Sequence, residues 1–265
     1  MKLFGVVLLS IGVLVPLRAA GAGGAPSAAP LGTEAADVLD RYVKAMQLQE
    51  SRAQAVSMEV DMDADLPNLK KHGRFHALRF MSKVGQVFYD KRRFEGDSTI
   101  KKEVIGRYLQ AEKDAQSEYG AAVAVTPANY KFRYLGMTDY VGRPAYIFGV
   151  KPRKKRMGLY EGEIWIDKKT DLPLRQWGEL VKSPSMFLKS VYFVRDYTIC
   201  DGVSVPRRLI SDVGTRLFGK AHLVIWYENV KVGEPAATAE GGEGPAPEGL
   251  LDSPTVTAQA DGGRH

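Results

Sequence analysis

Cysteine occurs once in the chain, at Cys200. An intrachain disulfide is excluded, so the fold must be held by its apolar core, and Cys200 reads as a small packed residue. Histidine is nearly as scarce, with four in the chain and one of them the terminal His265, which leaves little for acid–base work. Neither a G-x-S-x-G elbow nor an H-E-x-x-H helix is present, so hydrolases recognised by those signatures are excluded. Gly214 to Ala221 (G-T-R-L-F-G-K-A) approaches a phosphate-binding loop, but Ala221 stands where a hydroxyl must hold magnesium, and the segment joins two strands. No internal repeat is evident. The apolar run Leu3 to Leu17 is short of the roughly 20 residues that a membrane-spanning helix needs.

What is there begins with the two ends. Met1-Lys2, that apolar run and the small residues Ala19 to Ala25 read as a signal peptide over 1–22, with Ala20-Gly21-Ala22 as the cleavage site. A flexible leader follows over 23–32. No cysteine follows the run, as a lipoprotein signal would require, so the mature chain is expected to be soluble and periplasmic or secreted. From Gly233 to His265 the sequence is Ala, Gly, Pro and Glu with almost no large apolar residues; a disordered acidic tail is expected, since it cannot offset the entropy of ordering. A single domain over 33–232 remains. The formal charge is +6, and without Lys2, Arg18 and the tail's six acids and one base it becomes +9. Such a body is drawn to anionic surfaces, lipid headgroups included. Nucleic acid is not an expected partner, because no aromatic–basic recognition motif is present.

Along that domain the apolar period changes repeatedly. From Thr33 it is helical, with Val38, Leu39, Tyr42, Val43 and Met46 on one stripe. From Val56 to Leu66 it is two: Val56, Met58, Val60, Met62, Ala64 and Leu66 face one way and Ser57, Glu59, Asp61, Asp63 and Asp65 the other. The acidic row is a solvated face rather than a calcium site, because a strand spreads its carboxylates in a line. The next strand, Lys70 to Ser82, carries His72 and His76 about 13 Å apart, too far to share a metal ion. After Val84-Gly85 a return strand over Gln86 to Phe94 puts Lys91, Arg92 and Arg93 at an edge. Asp97 or Ser98 caps a second helix, with Ile100, Val104, Ile105, Tyr108 and Leu109 as its stripe, and Gly120 to Ala128 reads as a connector. Four strands follow between Tyr130 and Trp177, separated by Asp139 to Pro144, Lys151 to Arg156 and Lys168 to Pro173. After the Ser183-Pro184-Ser185 loop come Leu188 to Cys200, Val203 to Val213 and Ala221 to Val232, the first two joined by a tight Asp201-Gly202 turn.

The strand closing on Gly136, the Gly142-Arg143-Pro144 turn, the strand ending Lys151-Pro152 and the I-W-I-D-x-x-T-x-L-P-L-R run from Ile164 to Arg175 together resemble the sheet of the LolA/LolB-like superfamily. Looser similarity continues through Asp196 to Arg207 and on to Val230. This group contains periplasmic lipoprotein carriers and RseB/MucB-type envelope-stress sensors. The resemblance implies an α+β fold, a curved antiparallel sheet forming an open, incomplete barrel covered on its concave side by two or more helices. It also implies clients such as lipoprotein acyl chains or other amphiphiles, with an inner-membrane transporter or a membrane signalling protein as further partner.

The residues themselves support an enclosed sheet. Tyr146, Ile147, Phe148 and Val150, then Val191 to Val194, then Leu223 to Trp226 are apolar on both sides, so the sheet is covered twice or curved around something. An apolar slot between sheet and helices is expected, lined by Met58, Met62, Ile105, Leu109, Trp165, Trp177 and Phe193. Methionines reshape around different guests, and each buried methylene of an acyl chain contributes about 0.8 kcal/mol. The tryptophans could instead stack a sugar or simply pack in a core. The basic run Lys151 to Arg156 reads as a solvated hairpin or a contact for lipid phosphates. No catalytic residue, cofactor or metal site is expected. Three readings stay open: a carrier, a regulatory module docking on a membrane protein, and a hydrolase.

Overall fold

Strict alternation over Val56–Leu66 is realised as strand β1, in which every second residue from Val56 is buried. The computed structural model describes residues 32–51, 55–83, 86–118, 120–183 and 186–233. The expected signal peptide, almost all of the leader, the tail from residue 234, the Val84-Gly85 turn and Pro184-Ser185 lie outside these residues. Helix α1 (Thr33–Ser51) precedes β1; β2 (Lys71–Met81) and β3 (Val87–Gly96) follow it. A helical segment comes next, made of α2 (Ser98–Ile100), a π-helical stretch Lys101–Gly106, α3 (Arg107–Glu118) and α4 (Gly120–Val123). Seven strands complete the domain: β4 (Tyr130–Tyr140), β5 (Arg143–Pro152), β6 (Tyr160–Asp167), β7 (Pro173–Leu180), β8 (Leu188–Cys200), β9 (Val203–Thr215) and β10 (Lys220–Val232). The connector expected from Gly120 onward thus begins with a short helix, because Ala121, Ala122 and Val123 carry the chain one more turn. Among the described residues no helix is long and apolar enough to cross a membrane.

All ten strands form one sheet in the order β3-β2-β1-β10-β9-β8-β7-β6-β5-β4. Every pairing is antiparallel and, except for β1 with β10, joins neighbours in sequence. Two meanders are therefore zipped together through β1. The sheet does not close, since β3 and β4 are its two ends. Along the chain the helical segment connects these two end strands, β3 and β4. Lys91, Arg92 and Arg93 are exposed on β3, an end strand, where charge discourages pairing with another sheet.

The curve has local causes. Register shifts interrupt the pairing of β1 with β10 past Ser57, of β2 with β3 past His76, of β4 with β5 past Tyr134 and of β8 with β9 past Asp196; the extra residue lies in β10, β3, β4 and β9 respectively, and each bulge bends and twists its strand. On the β6–β7 pair Gly162 and Gly178 lie opposite each other. A Cβ on Gly162 would stand 2.0 Å from the Trp177 carbonyl oxygen, so only glycine permits that approach. Asp201 and Gly202 both have positive φ, 51° and 77°, as the expected tight turn between β8 and β9 requires.

One face of the sheet holds the core. Met62, Phe148, Ile164, Leu209 and Ile225 meet Val38, Leu39 and Tyr42 of α1 and Ile100, Ile105 and Tyr108 of the helical segment in one apolar cluster. Asp97 caps α2 by accepting a hydrogen bond from the Thr99 amide at 2.7 Å. Gly73 of β2 lets that helix lie close, for a Cβ there would stand 2.9 Å from Ile100. Gly106 is needed where the π-helical stretch ends, because a Cβ would stand 2.8 Å from the Lys101 carbonyl oxygen.

The opposite face is a polar ladder. His76 meets Asp61 at 2.9 Å, His72 and Arg74 both meet Asp63 at 3.0 Å, and His222 meets Asp212. The acidic row of β1 is thus paired with the basic residues of β2, each histidine engaging a different carboxylate.

Candidate functional site

Alternation puts a second set of residues on the helix-covered face, and these are polar. In β2, Arg79 is in phase with Phe75, Ala77 and Met81 and only 4% exposed. Its guanidinium donates to the Glu112 carboxylate of α3 at 2.9 Å, with Met58 Sδ at 3.8 Å on its other side. Tyr89 of β3 also donates to Glu112, and the hydroxyls of Tyr108 and Tyr227 lie 3.2 Å apart. Burial alone would lower the proton affinity of Arg79, but the Glu112 charge overrides it and the guanidinium stays charged. Burial pushes the phenols of Tyr89 and Tyr108 well above their ordinary range, so both are neutral hydrogen-bonding groups at any physiological pH. This network holds α3 against β2 and β3.

A second polar group occupies the β7–β8 half. Arg195 follows Phe193 on the same face and is opposite Gln176 of β7. Its Nη1 reaches the Tyr197 hydroxyl at 3.4 Å, and that hydroxyl donates to Gln176 at 3.2 Å. The guanidinium lies 5.8 Å from the Phe193 ring centroid. Among the described residues no carboxylate forms an ion pair with Arg195. Burial opposes its charge, while the oxygens of Tyr197, Tyr108 and Tyr227 favour it. Helix α1 caps this half: the phenol of Tyr42 is raised by burial and then by Tyr197 and Tyr130, and Gln49 accepts a hydrogen bond from the Ser204 amide at 2.8 Å.

The expected slot residues divide between the two faces. Met58, Met62, Ile105 and Phe193 are buried in the shared core, and Leu109 packs against it half-buried. Trp165 and Trp177 are placed elsewhere. They alternate with buried Ile164, Ile166, Gln176 and Gly178, and both indole N–H groups donate to Glu163, at 2.9 and 3.0 Å. The Arg175 guanidinium lies 5.2 Å from the Trp165 ring, and Arg175 and Arg208 pair with Asp196. The tryptophans therefore cover an outer ionic cluster and do not face the helices. The physical reason is parity: residues of β6 in phase with Ile164 take the inner face, which leaves the outer one to Trp165. Sequence reasoning missed Arg79, Glu112 and Arg195. The signal was a basic residue falling in phase with apolar ones in β2 and β8.

The quoted I-W-I-D-x-x-T run is explained by one turn. Asp167 accepts from both the amide and the hydroxyl of Thr170, and Arg143 from the Gly142-Arg143-Pro144 turn donates to it twice, at 2.8 and 3.1 Å. These residues build a corner of the sheet. Gly214 to Ala221 forms the β9–β10 turn, where Thr215 Oγ1 accepts from the Phe218 amide, and no helix follows it. Asp63, Asp65 and His72 bring ligand atoms within 4.8 Å of one another on the outer face. The Arg74 guanidinium already sits on Asp63 there and opposes a cation. In the basic run, Arg153 donates to the Pro127 carbonyl at 2.8 Å, and Lys154 to Arg156 are exposed.

No protein-family model matches the chain, and no curated protein sequence matches it. Among solved structures, it is similar to a DUF1329 family protein from Desulfovibrio piger at 14% identity and a TM-score of 0.38, over 76% of this chain and 94% of that one. A putative outer membrane lipoprotein-sorting protein domain from Vibrio parahaemolyticus matches at 12% identity and 0.37, over 76% and 95%. A LolA superfamily protein from Nitrosomonas europaea matches at 13% identity and 0.34, over 76% and 94%.

Proposed function

We propose that the protein is an exported, non-catalytic carrier that holds the apolar part of a lipidated or amphiphilic client between its sheet and helices α1 and α3. One observation supports the reading: a ten-stranded sheet stays open, and its apolar face is covered by α1 and by the helical segment that links the end strands β3 and β4 along the chain. Helices that pack on a sheet through side chains can move aside without breaking strand pairing, which a closed barrel cannot do. An acyl chain entering there would gain about 0.8 kcal/mol per methylene with no specific polar contact. Met58 and Met62 on β1, with Ile105, Leu109 and Phe193, are the proposed contacts. Burial holds the phenols of Tyr89 and Tyr108 well above their ordinary range, and Glu112 is engaged by Arg79 and Tyr89, which supports a non-catalytic reading. The sequence resemblance to the LolA/LolB-like superfamily points to the same client class.

Extraction of the purified full chain with organic solvent, followed by mass spectrometry, tests the reading. Co-purified lipid, together with saturable uptake of a fluorescent fatty acid, is the expected result. A clean extract with no uptake overturns it. A second reading, a regulatory module that docks on a membrane signalling protein, has one observation in its favour: Tyr134, Leu135 and Met137 are exposed on the unpaired end strand β4, which could accept an added strand. Recovery of a membrane protein with the tagged chain, and no lipid, favours that alternative.

A further inference from the structure

Three polar groups surround Phe193 on the helix-covered face, and none has found a charged partner. Arg195 is two residues along β8, with its guanidinium 5.8 Å from the Phe193 ring. Tyr160 of β6 lies against the same ring, centroids 5.0 Å apart, and its hydroxyl is buried without a hydrogen-bond partner. Ser211 of β9 is directly opposite Phe193, and its hydroxyl is likewise buried and unpartnered. Tyr160 and Ser211 are 4% and 1% exposed. Gly178 leaves room for the Tyr160 ring, for a Cβ there would stand 2.8 Å from it.

A half-buried guanidinium that has several N–H donors and uses one of them, in a bond 3.4 Å long, is poorly satisfied. Glu112 is engaged by Arg79 and Tyr89, one on each oxygen, and forms no ion pair with Arg195. Burying a cation without a counter-charge is unfavourable, and buried hydroxyls left unpaired add to that. All three groups can donate hydrogen bonds, so the chemistry they lack is an oxyanion. Their surroundings are apolar and aromatic, which suits a hydrocarbon chain attached to it.

We propose that Arg195, Tyr160 and Ser211 form an interior site for the oxyanion head, carboxylate or phosphate, of a single-chain amphiphile carried with its head inward. This deepens the carrier reading and rests on it. The guanidinium supplies the counter-charge, as charge-assisted hydrogen bonds are shorter and stronger than neutral ones, and the two hydroxyls complete the oxyanion's shell. The acyl chain would then run along the apolar face.

Palmitate, hexadecanol and a palmitoyl lysophosphatidate, titrated separately into the delipidated full chain, test this. Wild-type protein is expected to bind palmitate or the lysophosphatidate at least about tenfold more tightly than hexadecanol; the tighter of the two anions identifies the head, and either ranking supports the site. In Arg195→Met the preference over hexadecanol should vanish while hexadecanol affinity is kept, and Arg195→Lys should restore part of it. Tyr160→Phe, which removes only the unpartnered hydroxyl, should weaken the anion a few-fold and leave hexadecanol alone, and it decides the matter if Arg195→Met does not fold. An unchanged preference in the folded variants, or none in the wild type, overturns the anion site but leaves the carrier reading standing. No binding of any of the three ligands overturns both.

Discussion

Arg79 on β2 and Glu112 on α3 meet at 2.9 Å with 5% of each side chain exposed, an ion pair sealed between the sheet and the helix that covers it. Its Nε atom is buried with no partner at all. The pair specifies where α3 lies more than it stabilises the fold, because taking both charges out of water consumes most of their attraction.

Breaking one partner is therefore expected to be costly. Arg79→Met or Glu112→Leu alone should lower unfolding free energy by about 3–5 kcal/mol, since each leaves a buried charge uncompensated. The Arg79→Met, Glu112→Leu double variant should lose much less than the sum. Urea denaturation of the four proteins, read as a double-mutant cycle, checks this; additive losses contradict it.

Asp167 gives an expected pH dependence. Burial pushes its carboxyl up, but the Arg143 and Thr170 hydrogen bonds outweigh burial and hold it below the ordinary carboxylate range. A pKa lower in the folded than in the unfolded state contributes stability that is complete above the unfolded value and is lost as pH falls through the folded one. The denaturation midpoint should thus fall as the solution is acidified into and below the carboxylate range. In Asp167→Asn the midpoint should be lower at pH 7 and its acid dependence shallower; parallel curves would show that this turn is not the source.

The two faces of the sheet make separable predictions for ligand uptake. Met62→Ala, at a side chain 1% exposed, should cost about 2–5 kcal/mol of stability and alter the uptake of a fluorescent fatty acid. Trp165→Phe and Trp177→Phe should leave uptake unchanged, because both indoles bond to Glu163 on the other face. Loss of uptake in the tryptophan variants with Met62→Ala neutral would place the ligand outside.

The unpaired strand β4 should govern self-association. Tyr134→Lys with Met137→Lys puts charge on an end strand that now exposes apolar residues, and edge charge discourages strand addition. Lower aggregation by light scattering near the thermal midpoint is expected, with the fatty-acid affinity unchanged.

Most of the secondary structure was legible in the residues. Period two over Val56–Leu66, the Asp201-Gly202 turn and the Asp97 cap each follow from local chemistry, and β1 and β8 have the bounds that the pattern implies. Residues in phase along a strand must share a face, so Trp165 and Ile164 could never have faced the same way. What alternation cannot tell is which face is covered. That was decided by the pairing of β1 with β10 and by where α1 and α3 lie, contacts between segments far apart in sequence. The same long-range packing carried Arg79 and Arg195 inward against their ordinary preference for water. Glu112 lies thirty-three residues from Arg79, and only the folded chain brings the two together.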